Sequence, residues 1–464
     1  MSRQNRFALL GWLPVCLCLL AVSLAAQPRK PNIVVILADD MGFADVGFNG
    51  GKQIATPNID KLAAAGARLD QFYVQPVCSP TRAALLTGRY PMRHGLQVGV
   101  VRPWAQYGLP LAERTLAQAL KEAGYTTAIT GKWHLGHFQP AYLPTRRGFD
   151  FQYGHYNGAL DYFTHERDGG HDWHRNDQAN YDEGYSTHLL AKAAVQFIKD
   201  SRQSFFLYVP FNAVHAPHQV PDKYKTPYAQ LPEPRRTYAG MLAAMDEAIG
   251  QILTALEEKG VRQNTLIVFS SDNGGPMPGR VTDNGPLRAQ KGTLYEGGVR
   301  VAACIAWAGQ IKPGSVVNAP LHIVDLYPTL LRLAGASLQQ KLPLDGRDAW
   351  AAITQGKASP HTEILLNTTP RTGAIRVGDW KLVLNGKVNA GEGDGTEDAP
   401  VEPLVELFNL ASDPYEKQNL AAQQPAKVQE LRARYDKLAA QAVPPKQKPK
   451  APSFKSPKVW GEQQ

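Results

Sequence analysis

Apolar residues along this chain follow two alternating patterns. Unbroken apolar runs of strand length occur at 32–38, 126–130, 205–210 and 265–270. Between them, apolar positions recur at helical spacing over 60–68, 115–123, 186–200, 236–259 and 323–333. In 186–200, Leu189, Leu190, Ala193, Ala194 and Phe197 share one helical face. Gly124, Gly260 and Gly335 follow three of these segments, where a left-handed residue ends a helix. Such alternation predicts an α/β fold with a mainly parallel central sheet.

The texture changes after about residue 345. Segment 374–384 reads as a hairpin turning at Gly378-Asp379. A strand at 405–410 and a helix at 427–439 follow. The pattern predicts a large α/β domain over 27–345 and a smaller antiparallel subdomain with a terminal helix over 346–440. A chain of 464 residues can bury both cores.

The two ends read differently. Arg3 and Arg6 precede an apolar stretch broken by Pro14, and Ser23-Leu24-Ala25 offers small residues near Gln27. Residues 1–26 therefore read as a cleaved export signal, with no stable membrane anchor expected. Segment 441–464 is basic, rich in Pro and Lys, and expected to be solvated and disordered. It holds five lysines against one glutamate, a large part of the chain's formal charge of +9. The remaining body is nearly balanced, which argues against a broad nucleic-acid surface. Beyond the signal only Cys78 and Cys304 remain, too few for a disulfide framework. A Cys78–Cys304 bridge is the alternative use of that pair.

Candidate chemistry gathers after the strands, where open α/β sheets bind ligands. Asp39-Asp40 follow run 32–38 and Asp272-Asn273 follow run 265–270. Lys132 and His134 follow run 126–130, His215 follows run 205–210, and Lys291 lies in the loop after Asp272. Asp39, Asp40, Asp272 and Asn273 form an all-oxygen set that suits a hard cation, Ca²⁺ ahead of Mg²⁺. Zinc would be expected to recruit His or Cys. Taken singly, the same pairs serve as turn or cap residues. Cys78 enters a helix over about 80–86, with Pro80 in its first turn and Gly88 past its end. Free amides at such a start suit an oxyanion. A buried, inert thiol is the ordinary alternative.

Cys78-x-Pro80-x-Arg82 followed by Leu86-Thr87-Gly88-Arg89 resembles the signature of the type I sulfatase family. Further segments resemble its other hallmarks: Ala38-Asp39-Asp40-Met41-Gly42, Gly131-Lys132-Trp133-His134-Leu135-Gly136, Ser271-Asp272-Asn273-Gly274-Gly275 and Glu296-Gly297-Gly298-Val299-Arg300. The likeness runs from about Pro31 to Leu420. Segments 143–150 and 161–167, with Pro286-Leu287-Arg288 and Lys291, are similar to arylsulfatase B (N-acetylgalactosamine-4-sulfatase) members. The resemblance implies an alkaline-phosphatase-like large domain, its central mixed sheet flanked by helices, with a smaller antiparallel domain. It implies a sulfuric ester hydrolase acting on sulfated carbohydrates or aryl sulfates. With two cysteines left after the signal and one glycosylation sequon, Asn367-Thr368-Thr369, the chain departs from lysosomal members and fits a periplasmic or secreted bacterial enzyme better.

It also implies that Cys78 becomes Cα-formylglycine, made by a formylglycine-generating or an anaerobic sulfatase-maturating enzyme. One hydroxyl of the aldehyde hydrate would attack sulfur, and deprotonation of the other would expel sulfate. By the same resemblance Asp39, Asp40, the modified Cys78, Asp272 and Asn273 hold Ca²⁺. Arg82 and Lys132 hold the hydrate, and His134 is the base. His215 and Lys291, with Lys132, bind the sulfate, and the first two protonate the leaving oxygen. His94 and His165 are weaker candidates, His155 and Asp161-Tyr162 are candidate sugar-pocket residues, and Arg102 and Trp104 are candidate sugar contacts. Two other readings stay open. One is a phosphonate or phosphate diester hydrolase of the same superfamily; the other is a lectin-like protein that keeps a sulfate pocket without turnover.

Overall fold

A computed structural model describes residues 30–277, 280–367, 369, 372–386 and 404–462. The expected export signal lies outside the described residues. At the centre is a ten-stranded sheet. Its strands are β1 (Asn32–Ala38), β2 (Ala67–Leu69), β3 (Thr126–Lys132), β4 (Phe151–His155), β5 (His174–Arg175), β6 (Gln178–Ala179), β7 (Phe205–Pro210), β8 (Thr265–Ser271), β9 (Ala303–Ala306) and β10 (Ser315–Val317). They lie in the order β10-β2-β9-β8-β1-β7-β3-β4-β5-β6. The five neighbours β8, β1, β7, β3 and β4 are parallel. Antiparallel pairs flank them, between β8 and β9 on one side and β4 and β5 on the other. The sheet is thus parallel at its middle and mixed overall.

The unbroken apolar runs follow from burial on both faces. Ile33, Val35 and Leu37 of β1 join one core with the helices α2 (Cys78–Thr87) and α3 (Leu116–Glu122). Val34, Ile36 and Ala38 join the opposite core with α4 (Ser186–Asp200) and α5 (Arg235–Glu258). Side chains alternate across a strand, so each face of β1 needs its own apolar cover.

Two expected helices differ in place or form. In the region read as a helix over 60–68, the helix is Pro57–Ala64, with proline at its first turn. It stops before Gly66, whose missing side chain would stand 2.1 Å from Ile305 O, and Ala67 then enters the sheet. The segment read as one helix over 323–333 is a 3₁₀ turn, Ile323–Asp325, leading into an α-helix, Leu326–Leu333.

The smaller sheet runs β11 (Ile364–Leu366), β12 (Gly373–Val377), β13 (Trp380–Leu384) and β14 (Val405–Asn409), antiparallel throughout. The final helix, Pro425–Ala439, covers it, placing Leu431 and Tyr435 in the same core as Ile375 and Leu382. Lys381 of β13 ties the smaller sheet to the larger body. Its Nζ lies 2.9 Å from Glu296 Oε1 and 2.8 Å from Glu416 Oε1, with all three side chains buried.

The basic tail departs from the expectation of disorder. It runs along the large domain, and its last aromatic residue, Trp460, is only 2% exposed. Backbone hydrogen bonds to Met92, Gly95 and His171 hold it, which supplies the partners that solvent would otherwise provide. Among the described residues no helix is long and apolar enough to cross a membrane.

Candidate active site

Because β8, β1, β7 and β3 are adjacent and parallel, their carboxyl ends share one edge of the sheet. Asp272-Asn273, Asp39-Asp40, the loop to His215, and Lys132 with His134 all leave from that edge. Cys78 arrives from outside the sheet as the first residue of α2, and all ten residues of this helix are buried. The helix closes on Gly88, whose φ of 66° suits only a residue without a side-chain clash. Asp40 and His134 take left-handed φ values of 64° and 56°. Non-glycine residues adopt that conformation at a cost, and they do so where a site fixes them.

The floor is a compact ion network. Arg82 Nη2 lies 2.7 Å from Asp272 Oδ2 and 3.6 Å from Asp39 Oδ2. Arg82 Nη1 donates to Lys132 O at 3.0 Å. Lys132 Nζ donates to Asp39 Oδ2 at 2.5 Å, and Lys291 Nζ donates to Asp40 Oδ2 at 2.7 Å. Burial and then the neighbouring Asp272 push the Asp39 carboxyl up to about 7. Burial acts the same way on Asp40, but Lys291 and His215 overcome it and hold that carboxyl below its usual range. The exposed side of the site is small: the side chains of His215 and Lys291 are 19% and 14% exposed, those of Arg82, Lys132 and Asp39 not at all. A ligand therefore meets His215 and Lys291 first.

The Cys78 thiol lies 3.6 Å from Asp39 Oδ1. Burial first, then the charge of Asp272, push its pKa up, so the sulfur stays protonated. A thiol in this state is a poor nucleophile. No bridge forms, and Cys78 and Cys304 are both free.

The two ring nitrogens of His134 are placed differently. Its Nε2 lies 3.1 Å from Val101 O, an atom that only accepts, so Nε2 carries the proton. That leaves Nδ1 with its lone pair, buried and without a hydrogen-bond partner. Burial, followed by Lys132 and Arg82, holds the imidazole well below its ordinary pKa. Ser79, which sequence reasoning passed over, locks this geometry: its Oγ donates to His134 O at 2.8 Å and accepts from Val101 N at 3.0 Å.

Do these residues fit a cation? Asp39, Asp40, Cys78 and His215 each offer an atom within 4.8 Å of the others. Asn273 Nδ2 donates to Asp40 Oδ1 at 2.8 Å, while Asn273 Oδ1 is buried with no partner. An orphaned buried carbonyl oxygen beside three carboxylates matches the donors a hard cation takes. His215 Nδ1 donates to Ala216 O at 2.6 Å, leaving Nε2 as a lone pair 3.4 Å from Asp40 Oδ2. Two lone pairs held so close call for a proton or a cation between them.

The ten residues singled out from the sequence thus meet in one place. The weaker histidines do not. His155 is fully buried, its ring stacked near Trp173, and cannot line a sugar pocket. His94 and His165 are also buried away from solvent. Tyr162 acts from behind: its hydroxyl lies 2.7 Å from Asn212 O and 2.8 Å from His215 O, fixing the loop that carries His215. Ser79 sits beside the Cys78 motif, and that adjacency was the available signal; Tyr162, expected to line the sugar pocket, instead holds backbone atoms distant in the chain, a role no local signal announces.

The sulfatase family profile matches residues 31–336. The chain is 38% identical to arylsulfatase J of Mus musculus, over 94% of this chain and 81% of that relative. It is 35% identical to arylsulfatase A of Homo sapiens, over 86% of this chain and 85% of the relative. Among solved structures, Ps i-CgsB in complex with k-i-k-neocarrahexaose matches with a TM-score of 0.81 at 34% identity, over 90% of this chain and 94% of that one. The phosphonate monoester hydrolase of Agrobacterium radiobacter, at 20% identity and a TM-score of 0.62, covers 88% of this chain and 96% of its own, a likeness of fold. On these matches the chain is a sulfuric ester hydrolase and belongs to the sulfatase family.

Proposed function

We propose that this enzyme hydrolyses sulfate esters of sulfated carbohydrates outside the cytoplasm, through a Cα-formylglycine generated from Cys78 and a Ca²⁺ ion at the carboxylate cluster. The observation that carries this reading is the Cys78 environment. A thiol held protonated is inert as it stands, yet it lies at 3.6 Å from Asp39 in a site crowded with cations and a neutral base. The saccharide in the Ps i-CgsB complex supports the substrate class. The apolar stretch after Arg3 and Arg6 supports export.

Formylglycine, as its hydrate, supplies a hydroxyl nucleophile and a second hydroxyl whose loss of a proton releases sulfate. Ca²⁺, when bound, lowers the cost of negative charge on the sulfate and on the attacking oxygen. Asp39, Asp40, Asp272 and Asn273 would hold it, with position 78. The chain's own groups do the rest. Lys291 and His215, at the mouth, meet the sulfate and orient it. Lys132 and Arg82 neutralise charge beneath it. His134 Nδ1 takes a proton, because its other nitrogen is committed to Val101 O. His215, kept neutral down to about 3 by burial, needs a proton from solvent or substrate before it can serve as an acid.

The test pairs mass and rate. Mass spectrometry of the peptide containing Thr81 from active protein should show the aldehyde at position 78. Cys78→Ala should lower turnover of 4-nitrophenyl sulfate by at least about 10³-fold. Fully unmodified cysteine in active enzyme overturns the covalent route, and faster turnover of a phosphate diester or phosphonate ester overturns the sulfatase preference.

A further inference from the structure

The basic tail plays no part in the chemistry above, yet it is built into the molecule. Both of its ends are pinned. At one end Val443 N donates to Met92 O at 2.9 Å, Gln97 Nε2 to Val443 O at 2.8 Å, and Lys446 N to Gly95 O at 2.8 Å. At the other, Lys458 O accepts from His171 N at 2.8 Å and Trp460 N donates to His171 O at 2.9 Å. The buried Trp460 indole donates to Arg167 O at 2.8 Å and meets the His137 ring edge-on at 5.3 Å. Between these anchors the chain arches over a cavity of about 980 Å³. Residues 102–107 and 137–139 form the cavity floor.

The lining has two chemistries. The strap supplies Lys446, Lys448 and Lys455, the floor supplies Arg102, and among the described residues the only carboxylate in the lining is that of Glu462. Aromatic faces are interleaved with the cations. Lys450 Nζ lies 5.7 Å from the Trp104 ring and 5.6 Å from the Phe454 ring, and the Arg102 guanidinium lies 5.8 Å from Trp104. Flat rings present a face for the C–H side of a sugar, and the surrounding ammonium groups match sulfate oxygens. A neutral saccharide would leave the strap ammonium groups without a counter-charge in the cavity, and an apolar ligand would desolvate them as well.

Two short stretches of chain tie the cavity floor to the reaction centre. Val101, which holds both Ser79 and His134, is followed directly by the floor residues Arg102 to Trp104. Three residues span at most about 11 Å. The second floor segment begins at His137, shortly after His134.

We propose that this cavity is a second binding site for the saccharide, holding a neighbouring sulfated unit of the same molecule whose ester is cleaved at position 78. The inference rests on the sulfated-carbohydrate reading of the reaction. The tail is then part of substrate recognition, and oligosaccharides with several sulfates are favoured over a small sulfate ester.

The test uses the full chain with Lys446→Gln, Lys448→Gln, Lys450→Gln and Lys455→Gln combined, and separately Trp104→Ala. For both variants kcat/KM for 4-nitrophenyl sulfate should stay within about two-fold of the parent. For a carrageenan hexasaccharide, KM should rise about ten-fold, the sum of several modest charge pairs. Binding is also measured without turnover, by calorimetry on Cys78→Ala protein with the sulfated and the desulfated hexasaccharide. Weakening of only the sulfated ligand by the lysine changes, lessened at high salt, supports the proposal. Equal binding by parent and variant overturns it. Equal affinity for the desulfated sugar, or for a single-stranded oligonucleotide of similar charge, overturns it too. Failure of 4-nitrophenyl sulfate turnover in the parent would count against the sulfatase route instead, and the binding arm would still decide the role of the strap.

Discussion

Lys381→Met removes the one cation shared by two buried carboxylates at the junction of the two sheets. In the parent, Lys381 Nζ lies 2.9 Å from Glu296 and 2.8 Å from Glu416. Glu296 keeps other partners after the change, Arg300 at 3.7 Å and the Tyr73 hydroxyl at 2.9 Å. Glu416 keeps only the Glu296 N–H, which donates to its Oε2 at 2.6 Å, and burial, set against its lysine partner, already leaves its carboxyl at about 7, against 4.5 ordinarily. Breaking a buried pair by removing one partner costs about 3–5 kcal/mol. Unfolding entropy of about 2.1 cal/mol/K per residue amounts to about 1 kcal/mol/K for a chain this long, so Tm should fall by about 3–5 °C. The loss should depend on pH with a definite sign. A carboxyl whose folded pKa lies above its unfolded value binds more protons when folded, so stability falls as pH rises past about 4.5. With its cation gone Glu416 moves further up, and the Tm deficit of the variant should be larger at pH 8 than at pH 5. Scanning calorimetry at the two pH values measures it, and adding Glu416→Gln should recover part of the loss. An unchanged Tm, or a deficit larger at pH 5, would refute the reasoning.

Three further outcomes are expected. Excess chelator should lower Tm by about 3 °C, as expected for a site lost from 100-fold saturation, with Ca²⁺ restoring both Tm and turnover more fully than Mg²⁺; a Tm indifferent to the cation would rule out a resident ion at Asp39 and Asp40. Buried neutral histidines take up protons only on unfolding, so stability should fall as pH drops below about 6.5. His155, lowered to about 3 chiefly by burial, is one source, and His155→Phe should make the acid decline of Tm shallower while keeping the stack on Trp173. Trp460→Ala should free the strap without touching the reaction centre, raising tryptic cleavage between Lys446 and Lys458 by about 100-fold, as a few kcal/mol of lost packing implies.

What the sequence revealed depended on how local the signal was. β1 and β7 could be bounded from composition alone, because each is buried on both faces and ends where chemistry begins. The four strand ends converged because adjacent parallel strands must point their carboxyl ends one way. The 57–64 helix was misplaced because Gly66 is needed for close approach to Ile305, a contact between segments far apart. His155 read as a candidate sugar-pocket residue, but it closes β4 with its ring stacked near Trp173. Composition marked the tail as disordered; nothing in its Pro/Lys pattern announces that His171 and Gly95 offer it backbone partners. Lys381 was equally silent, since a lysine in a hairpin reads as solvent-facing until Glu296 and Glu416 are brought to it.

The complete burial of α2 has a consequence for timing. Cys78 is 1% exposed, the first residue of a helix with none at the surface. Any catalyst that oxidises this side chain must act before the molecule closes. Closure waits on distant chain, because the site around Cys78 is completed by Asp272, 190 residues from its partner Arg82, and by Lys291, 251 residues from its partner Asp40. Such distant pairings form slowly. A chain emerging N-terminus first therefore offers its cysteine early and seals it late, and the interval between is the only one in which the residue can be altered.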